Sequence, residues 1–323
     1  MPFYLGRPGR LVAMPAPLRG LDGSRQRPTT VHRGPDGARR VDFGSGRRTY
    51  QLSWPYLSPD LLSAVEVFAQ GHAGPGPYAL IDPARRNHLA VNQSSAGSAL
   101  GDATGYAATV GAVDAQADVV YRGPNAVRWS IPATATSAVL SLTGPGGYPG
   151  VPVPAGEPWT WQCRVAGGGA DPEVTVTAAH AWLRADGSLL TTIYGSSAST
   201  SSLWPQVSVT TLTPPSGGVY LVPQLHLDVA SLAGGDSGLG DAPLSSRWVS
   251  LAGMSGGAGE PLADWFFGQG TYVYVDEPQL AMAATVQSWA AGTGVPLVSW
   301  TDLPDTYLLA GVHAVQATLL EVG

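Results

Sequence analysis

The residues of this chain that could do chemistry are six histidines, 23 acids, 17 arginines and one cysteine, scattered through 323 positions. Two fragments imitate a serine protease, TAAH at Thr177–His180 and GDSG at Gly235–Gly238, and Asp228 could stand as the third member of a triad. The spacing opposes that reading. His180 and Ser237 lie only 57 residues apart, too close to come from two complete β-barrels holding a Ser, His and Asp in fixed geometry. GMSGG at Gly253–Gly257 has the spelling of a nucleophile elbow, but no helix follows it as that turn demands. There is no HExxH, no phosphate-cradling Gly loop ending in Lys and no EF-hand spacing. Pairs of carboxylates drawn from 23 carry no information by themselves. The chain is therefore expected not to be an enzyme. Cys163, being alone, excludes an intrachain disulfide and a CxxC pair, and its setting in WTWQCRV reads as a buried strand thiol.

Binding chemistry is more legible. In VYLVPQLHLDV, Val219, Leu221, Pro223, Leu225, Leu227 and Val229 fall on one face of an alternating strand, and Tyr220, Gln224, His226 and Asp228 on the other. The first set is core. The second combines an aromatic, an amide, an imidazole and a carboxylate, the mix a sugar-binding face uses: planar hydrogen-bonding groups for hydroxyls and rings for CH faces. WTWQCRV alternates likewise, with Trp159, Trp161, Cys163 and Val165 inward and Gln162 and Arg164 outward to support the same face. A merely solvated sheet face would have the same pattern.

The elements that must position these residues are strands. The 42 Gly and 28 Pro weigh against a helical bundle, and no apolar run approaches the roughly 18 residues that spanning a bilayer requires, so no membrane partner is expected. Residues 1–57 alternate short strand-like pieces with turn clusters. One helix follows, with Ser58 as N-cap, Pro59 at its first position, Asp60 in its first turn, an apolar stripe through Leu61, Leu62, Val65, Phe68 and Ala69, and Gly71 as its stop. From about 95 to 284 only short strands and Gly, Pro and Ser turns appear, as in an antiparallel sandwich. The last forty residues return to the style of the first hundred. Too short to make a core alone, they are expected to complete a discontinuous domain, 1–93 together with 286–323, with 94–285 inserted as a second β-sandwich. The N-terminal stretch MPFYLGRPGRLVAMPAP lacks the continuous apolar segment of a secretory signal.

Charge divides the chain as well. The basic total is all Arg, with no Lys, and residues 1–48 carry +7 while the remainder carries −13. Arg39, Arg40, Arg47 and Arg48 are candidate contacts to a neighbouring copy, since the guanidinium fork suits carboxylates and the rest of the chain is acidic.

The stretches VPVPAGEPWTWQCRV, AWLRADGSLLTT, LWPQVSVTTLTPP, VYLVPQLHLDV and YVYVDEPQLAM together resemble the jelly-roll carbohydrate-binding modules attached to many polysaccharide hydrolases. The flanks, RRTYQLSWPYLSPDLLSAVEVFAQGHAGPGPYALIDPARRNHL and WAAGTGVPLVSWTDLPDTYLLAGVHAVQATLLEV, resemble distal or minor tail proteins of siphophages that infect actinobacteria. The resemblance implies a mainly β protein: a discontinuous tail-hub β-sandwich with one α-helix, and an inserted jelly-roll β-sandwich pointing outward. It also implies a homo-oligomeric ring, commonly a hexamer, at the virion tail tip after assembly in the host cytoplasm, touching the tail tube protein and other tail-tip proteins. Host cell-wall polysaccharide is the implied ligand. Specific nucleic-acid binding is not expected, because tight binding would hinder passage of DNA through a tail. Relatives of the module often hold a structural calcium near the final strand, where Asp276 of YVDE would serve. A secreted carbohydrate-binding accessory module and a component of a phage-derived contractile injection device remain alternatives on the sequence alone.

Overall fold

The computed structural model describes residues 2–21, 23–26, 29–33, 39–43, 47–97, 102–132, 135, 137–169, 174–200, 203–228, 271–303, 305–309 and 312–322. The N-terminal part contains β1 (Phe3–Arg7), β2 (Arg10–Met14), β3 (Gly23–Gln26), β4 (Thr29–Arg33), β5 (Arg39–Phe43), β6 (Arg47–Leu57), α1 (Pro59–Ala69) and β7 (Tyr78–Ile81). Then come α2 (Val91–Ser94), β8 (Tyr106–Ala108), β9 (Ala112–Gln116), β10 (Ala126–Ile131), β11 (Ser137–Leu142), β12 (Val151–Pro152), β13 (Trp159–Gly169), β14 (Thr175–Leu183), β15 (Leu189–Ser199), β16 (Gln206–Thr211), β17 (Tyr220–Asp228) and β18 (Thr271–Ala281). The chain closes with β19 (Leu297–Asp302), β20 (Asp305–Leu309) and β21 (Val312–Glu321). The fold is mainly β, in antiparallel sheets, as expected.

Strands from both ends of the chain share one eight-stranded sheet, ordered β2-β1-β7-β19-β21-β6-β3, with β20 also paired to β21. β21 pairs with β6 from Leu320↔Thr49 to His313↔Leu57 and with β19 on its other side. α1 covers this sheet. Ser58 caps it, accepting from Leu61 N–H at 3.5 Å, and Leu62, Val65 and Phe68 are buried among Leu52, Trp54, Leu80 and Leu319. Leu61 points outward, 43% exposed, because the buried stripe runs 62, 65, 68 and the preceding position lies about 100° away from it.

The sandwich is two sheets face to face: β16-β13-β18-β10-β9, and β15-β14-β17-β11-β8 with β12 added beside β17. Alternation places Trp159, Trp161, Cys163 and Val165 of β13 and Leu221, Leu225 and Leu227 of β17 in the common core, each at most 2% exposed. Burial pushes the Cys163 thiol well above its ordinary range. Ala79, Ile81, Leu89 and Val295 join the same cluster, so the sandwich core runs on to the eight-stranded sheet without a break.

The two connecting segments, residues 82–97 and 282–296, are tied together by buried polar side chains. Asn87 donates through Nδ2 to the carbonyls of Pro278 (3.1 Å) and Ala290 (2.8 Å), and its Oδ1 accepts from the N–H groups of Leu89 and Leu280, both at 3.1 Å. Ser94 Oγ accepts from Gly292 N–H at 2.7 Å. A Cβ at position 292 would lie 2.2 Å from the Leu89 carbonyl oxygen, so only glycine permits this approach. His88 is 2% exposed, edge-on to Trp159 at 5.2 Å, with Nε2 3.1 Å from Asp82 O and Nδ1 3.3 Å from Leu280 O.

Burial holds His88 neutral, its pKa lowered to about 4, and His180, deep in the sandwich core, to about 3. An unfolded histidine titrates near 6.5, so the unfolded chain binds more protons between pH 6.5 and 4. Stability contributed by these groups is complete above pH 6.5 and is lost as pH falls. For His88 alone the shift corresponds to about 3 kcal/mol. Thermal denaturation across pH 7 to 4 is expected to show a falling melting temperature whose acid limb is shallower in His88→Gln than in the parent.

Candidate functional site

β17 presents Tyr220, Val222, Gln224 and His226 on the outer face of the six-stranded sheet, opposite the apolar core residues. Only part of this row is open. Tyr220 is 7% exposed, its ring 5.8 Å from that of Tyr148, and Val222, which shares the face, is 6% exposed. Gln224 and His226 are half-buried and joined to each other: His226 Nε2 lies 2.9 Å from Gln224 Oε1, and Gln224 Nε2 donates to Ser141 Oγ at 3.1 Å. Because the Gln224 oxygen is an acceptor, the ring proton of His226 resides on Nε2. Burial lowers the His226 pKa, which keeps the ring neutral.

The aromatic wall of this face comes from a residue outside the expected set. Tyr194 of β15 is 60% exposed and meets His226 edge to face, centroids 5.1 Å apart at 77°. Thr177, the cross-strand neighbour of His226, shares a 2.7 Å hydroxyl contact with Ser197. An exposed ring beside an imidazole, an amide and hydroxyls can hold a polyhydroxylated ligand, its CH face on the ring and its hydroxyls on the polar row. The side chain of Asp228 lies outside the described residues.

Gln162 and Arg164 do not join this face. They sit on β13, in the other sheet, whose outer side points away. Gln162 clamps the main chain of Gln287, donating to its carbonyl at 2.7 Å and accepting its N–H at 3.2 Å. Arg164 pairs with Glu277 at 3.2 Å, donates to Trp204 O and stacks over Tyr121 at 4.3 Å. Arg122 meets the other Glu277 oxygen at 3.3 Å. Glu277 has φ +49° and lies at a register shift between β13 and β18, a bulge that turns its carboxylate toward both guanidinium groups. The hollow above them, about 190 Å³, is bordered by Gln206 and Trp289.

Asp276, the residue suggested for calcium, has its oxygens occupied. Oδ2 accepts from Tyr121 and Arg122 N–H (3.0 and 2.8 Å) and Oδ1 from Glu277 N–H (2.7 Å). Three converging N–H dipoles stabilise the carboxylate's charge from within the chain. Among the described residues no group of three or more His, Cys, Asp and Glu side chains gathers to hold a metal ion. His180 is fully buried and bonds Thr211 Oγ1 at 2.8 Å. GDSG and GMSGG lie outside the described residues, as do the side chains of Arg39 and Arg40, whose backbone forms the β4–β5 hairpin. Arg47 is exposed, whereas Arg48 works within its own chain, donating to Thr293 O at 3.2 Å.

No protein-family model matches the sequence, and no curated protein matches it. Solved structures do. The enzymatically active domain of bacteriophage CBA120 tailspike protein 4 matches 63% of this chain at 11% identity and a TM-score of 0.39, and the chain spans 22% of that structure's length. The CBM22-1 xylan-binding domain of Paenibacillus barcinonensis Xyn10C matches 58% of the chain and 90% of its own length, at 14% identity and a TM-score of 0.36. TmCBM61, solved with β-1,4-galactotriose, matches 62% of the chain and its whole length at 12% identity and a TM-score of 0.36.

An asparagine at 276 would keep one acceptor oxygen and strand main-chain N–H groups, at about 1–3 kcal/mol for an unpaired buried group. Asp276→Asn is expected to lower the melting temperature, while added calcium or a chelator leaves that of the parent unchanged in differential scanning calorimetry.

Proposed function

We propose that this protein is a non-enzymatic structural subunit of a phage tail tip whose sandwich domain binds a neutral host-surface polysaccharide through Tyr194, Gln224 and His226. The observation that carries the glycan reading is the row Tyr194, His226, Gln224, Ser141: one exposed ring backed by an ordered chain of hydrogen-bonding groups. The tail-tip reading is supported by the resemblance of the flanking segments, whose strands meet in one sheet with β2 and β3 at its two ends among the described residues. In this reading residues 1–93 and 286–323 form the ring-building part and 94–285 the outward module, and Arg39, Arg40 and Arg47 face the next copy.

One shallow face with a single open aromatic gives affinity on the order of 1 mM to 100 μM per copy. A ring raises avidity by about 100-fold or more, because several modules engage one repetitive polymer together. Affinity electrophoresis and cell-wall pull-down of the intact protein are expected to show retention that Tyr194→Ala and Gln224→Ala each weaken about tenfold. Gln162→Ala should leave retention unchanged. With His226 neutral at and above the ordinary histidine pKa, binding should be flat from there upward and fall only in more acid solution. No retention of the parent by wall polysaccharide, or retention indifferent to Tyr194 and Gln224, would leave the module a spacer; a monomer by native mass measurement would remove the ring.

A further inference from the structure

β2 ends the eight-stranded sheet among the described residues. It pairs with β1 from Phe3↔Met14 to Arg7↔Arg10 without a register shift, and the main-chain groups on its outer side have no ladder partner there. Strands at the end of a sheet are ordinarily guarded by a bulge, by proline or by charges along their length. β2 has Arg10 at one end only; Leu11, Val12, Ala13 and Met14 are apolar. An edge of this kind is a template for one more strand.

The end of α1 stands over this edge. Arg10, Val12 and Met14 share the face of β2 that is turned to the helix. Between that face and the last turns of α1 lies a hollow of about 410 Å³, lined by Arg7, Arg10, Val12, Val67, Phe68 and His72 among others. Val12 and Val67 are 42% and 41% exposed, so the chain itself leaves the apolar side of the hollow uncovered. The other side is basic. Arg7 is fixed in place, donating to the Pro75 carbonyl through Nε at 3.0 Å and also through Nη2. Gly74, at φ +96°, keeps the guanidinium clear, since a Cβ there would lie 3.2 Å from Nη1. None of Arg7, Arg10 and His72 has a carboxylate partner among the described residues.

We infer that this edge and hollow dock an extended, acidic segment of a second protein, which joins the sheet as a strand beside β2. Main-chain hydrogen bonds to the edge give such a strand its affinity, and the side chains of one face give it specificity. Alternation states what that face must carry. The residue opposite Val12 is apolar and packs on Val12 and Val67. Two positions along, opposite Arg10, a carboxylate enters among Arg7, Arg10 and His72, where charge-assisted hydrogen bonds meet it. A second copy of this chain fits less well. The strand at the other end of the sheet, β3, holds Arg25 in register with Arg48 of β6, so joining β2 of one copy to β2 or β3 of the next brings basic strand to basic strand, and like charges facing each other destabilise a pair. The site lies apart from the glycan row, and its argument does not rest on that reading.

The test is fluorescence anisotropy of a short labelled peptide in which threonine alternates with valine and glutamate in turn, titrated with the full-length protein. Beside it run a counterpart with lysine in place of glutamate and one with proline at its centre. The parent is expected to bind the glutamate peptide saturably and the other two about tenfold more weakly, because lysine meets the basic groups and proline removes a ladder donor. Arg10→Glu, at an exposed position, is expected to reverse the order of the glutamate and lysine peptides, which a failure to fold cannot do. Val67→Ser should weaken the glutamate peptide about fivefold, and Gln224→Ala should leave it unchanged. The inference is overturned by absence of saturable binding, by equal binding of the two charged peptides, by an order that Arg10→Glu leaves unaltered, or by binding indifferent to Val67→Ser. It is overturned as well if native mass measurement shows copies of the parent held together and Arg10→Glu releases them, since the occupant is then a second copy.

Discussion

Asn87 spends its whole hydrogen-bonding capacity on four main-chain groups, three of them in distant segments of the chain, and the attachment of the sandwich to the eight-stranded sheet depends on it. The chain passes between these two bodies twice, through residues 82–97 and 282–296, and neither passage has regular strand pairing to satisfy its backbone. Loops of that kind ordinarily stay at the surface, where water does the work. Here residues 87–89, 92–94, 292 and 295–296 are buried, and side chains replace water: the amides of Asn87 for residues 278–290 and of Gln93 for Gly105 and Thr143, and the Ser94 hydroxyl for Gly292. Asn87 is itself 1% exposed, and removing its amide would take a partner from four main-chain groups at once rather than lose one contact.

This constraint was invisible to sequence reasoning. RRNHLAVNQSSAG looks like a change of composition, and amides bonded to remote main chain leave no period. What alternation and capping can express was legible. The inward tryptophans of β13, the apolar face of β17 and the capped helix with 62, 65 and 68 inward all appear where pattern places them. Leu61 is apolar and so reads as part of the stripe, although its position on the helix turns it outward.

The binding row was half legible for a related reason. Alternation separates the two faces of one strand; it does not say which strand lies beside which, or what lies on top. Gln162 and Arg164 point outward as expected, but from the opposite sheet. Tyr220 and Val222 are on the expected side of β17 yet covered, Tyr220 against Tyr148. Tyr194 was missed although LLTTIY alternates, because its approach to His226 requires the β14–β15 pairing, including the register shift between Thr177 and Ala179. Asp276 had the right chemistry for a cation, but only three dimensions reveal that three N–H groups already surround it.

The two outer faces of the sandwich differ in what a ligand could gain from them. On the five-stranded sheet the charged groups around the bulge are paired internally, Glu277 holding both Arg122 and Arg164, and Gln162 holds Gln287. A ligand there would have to break charge-assisted bonds, which are roughly twice as strong as neutral ones. On the six-stranded sheet Tyr194 presents a ring with little covering it, and its neighbours form a neutral chain that orients them without using up their capacity. His226 keeps its second ring nitrogen, and the Ser141 hydroxyl can still donate its own proton. A surface with hydrogen-bonding capacity left over, held in position before any ligand arrives, loses little entropy on binding. That difference, rather than the number of polar residues on either face, is why the glycan reading belongs to β15 and β17 and not to β13.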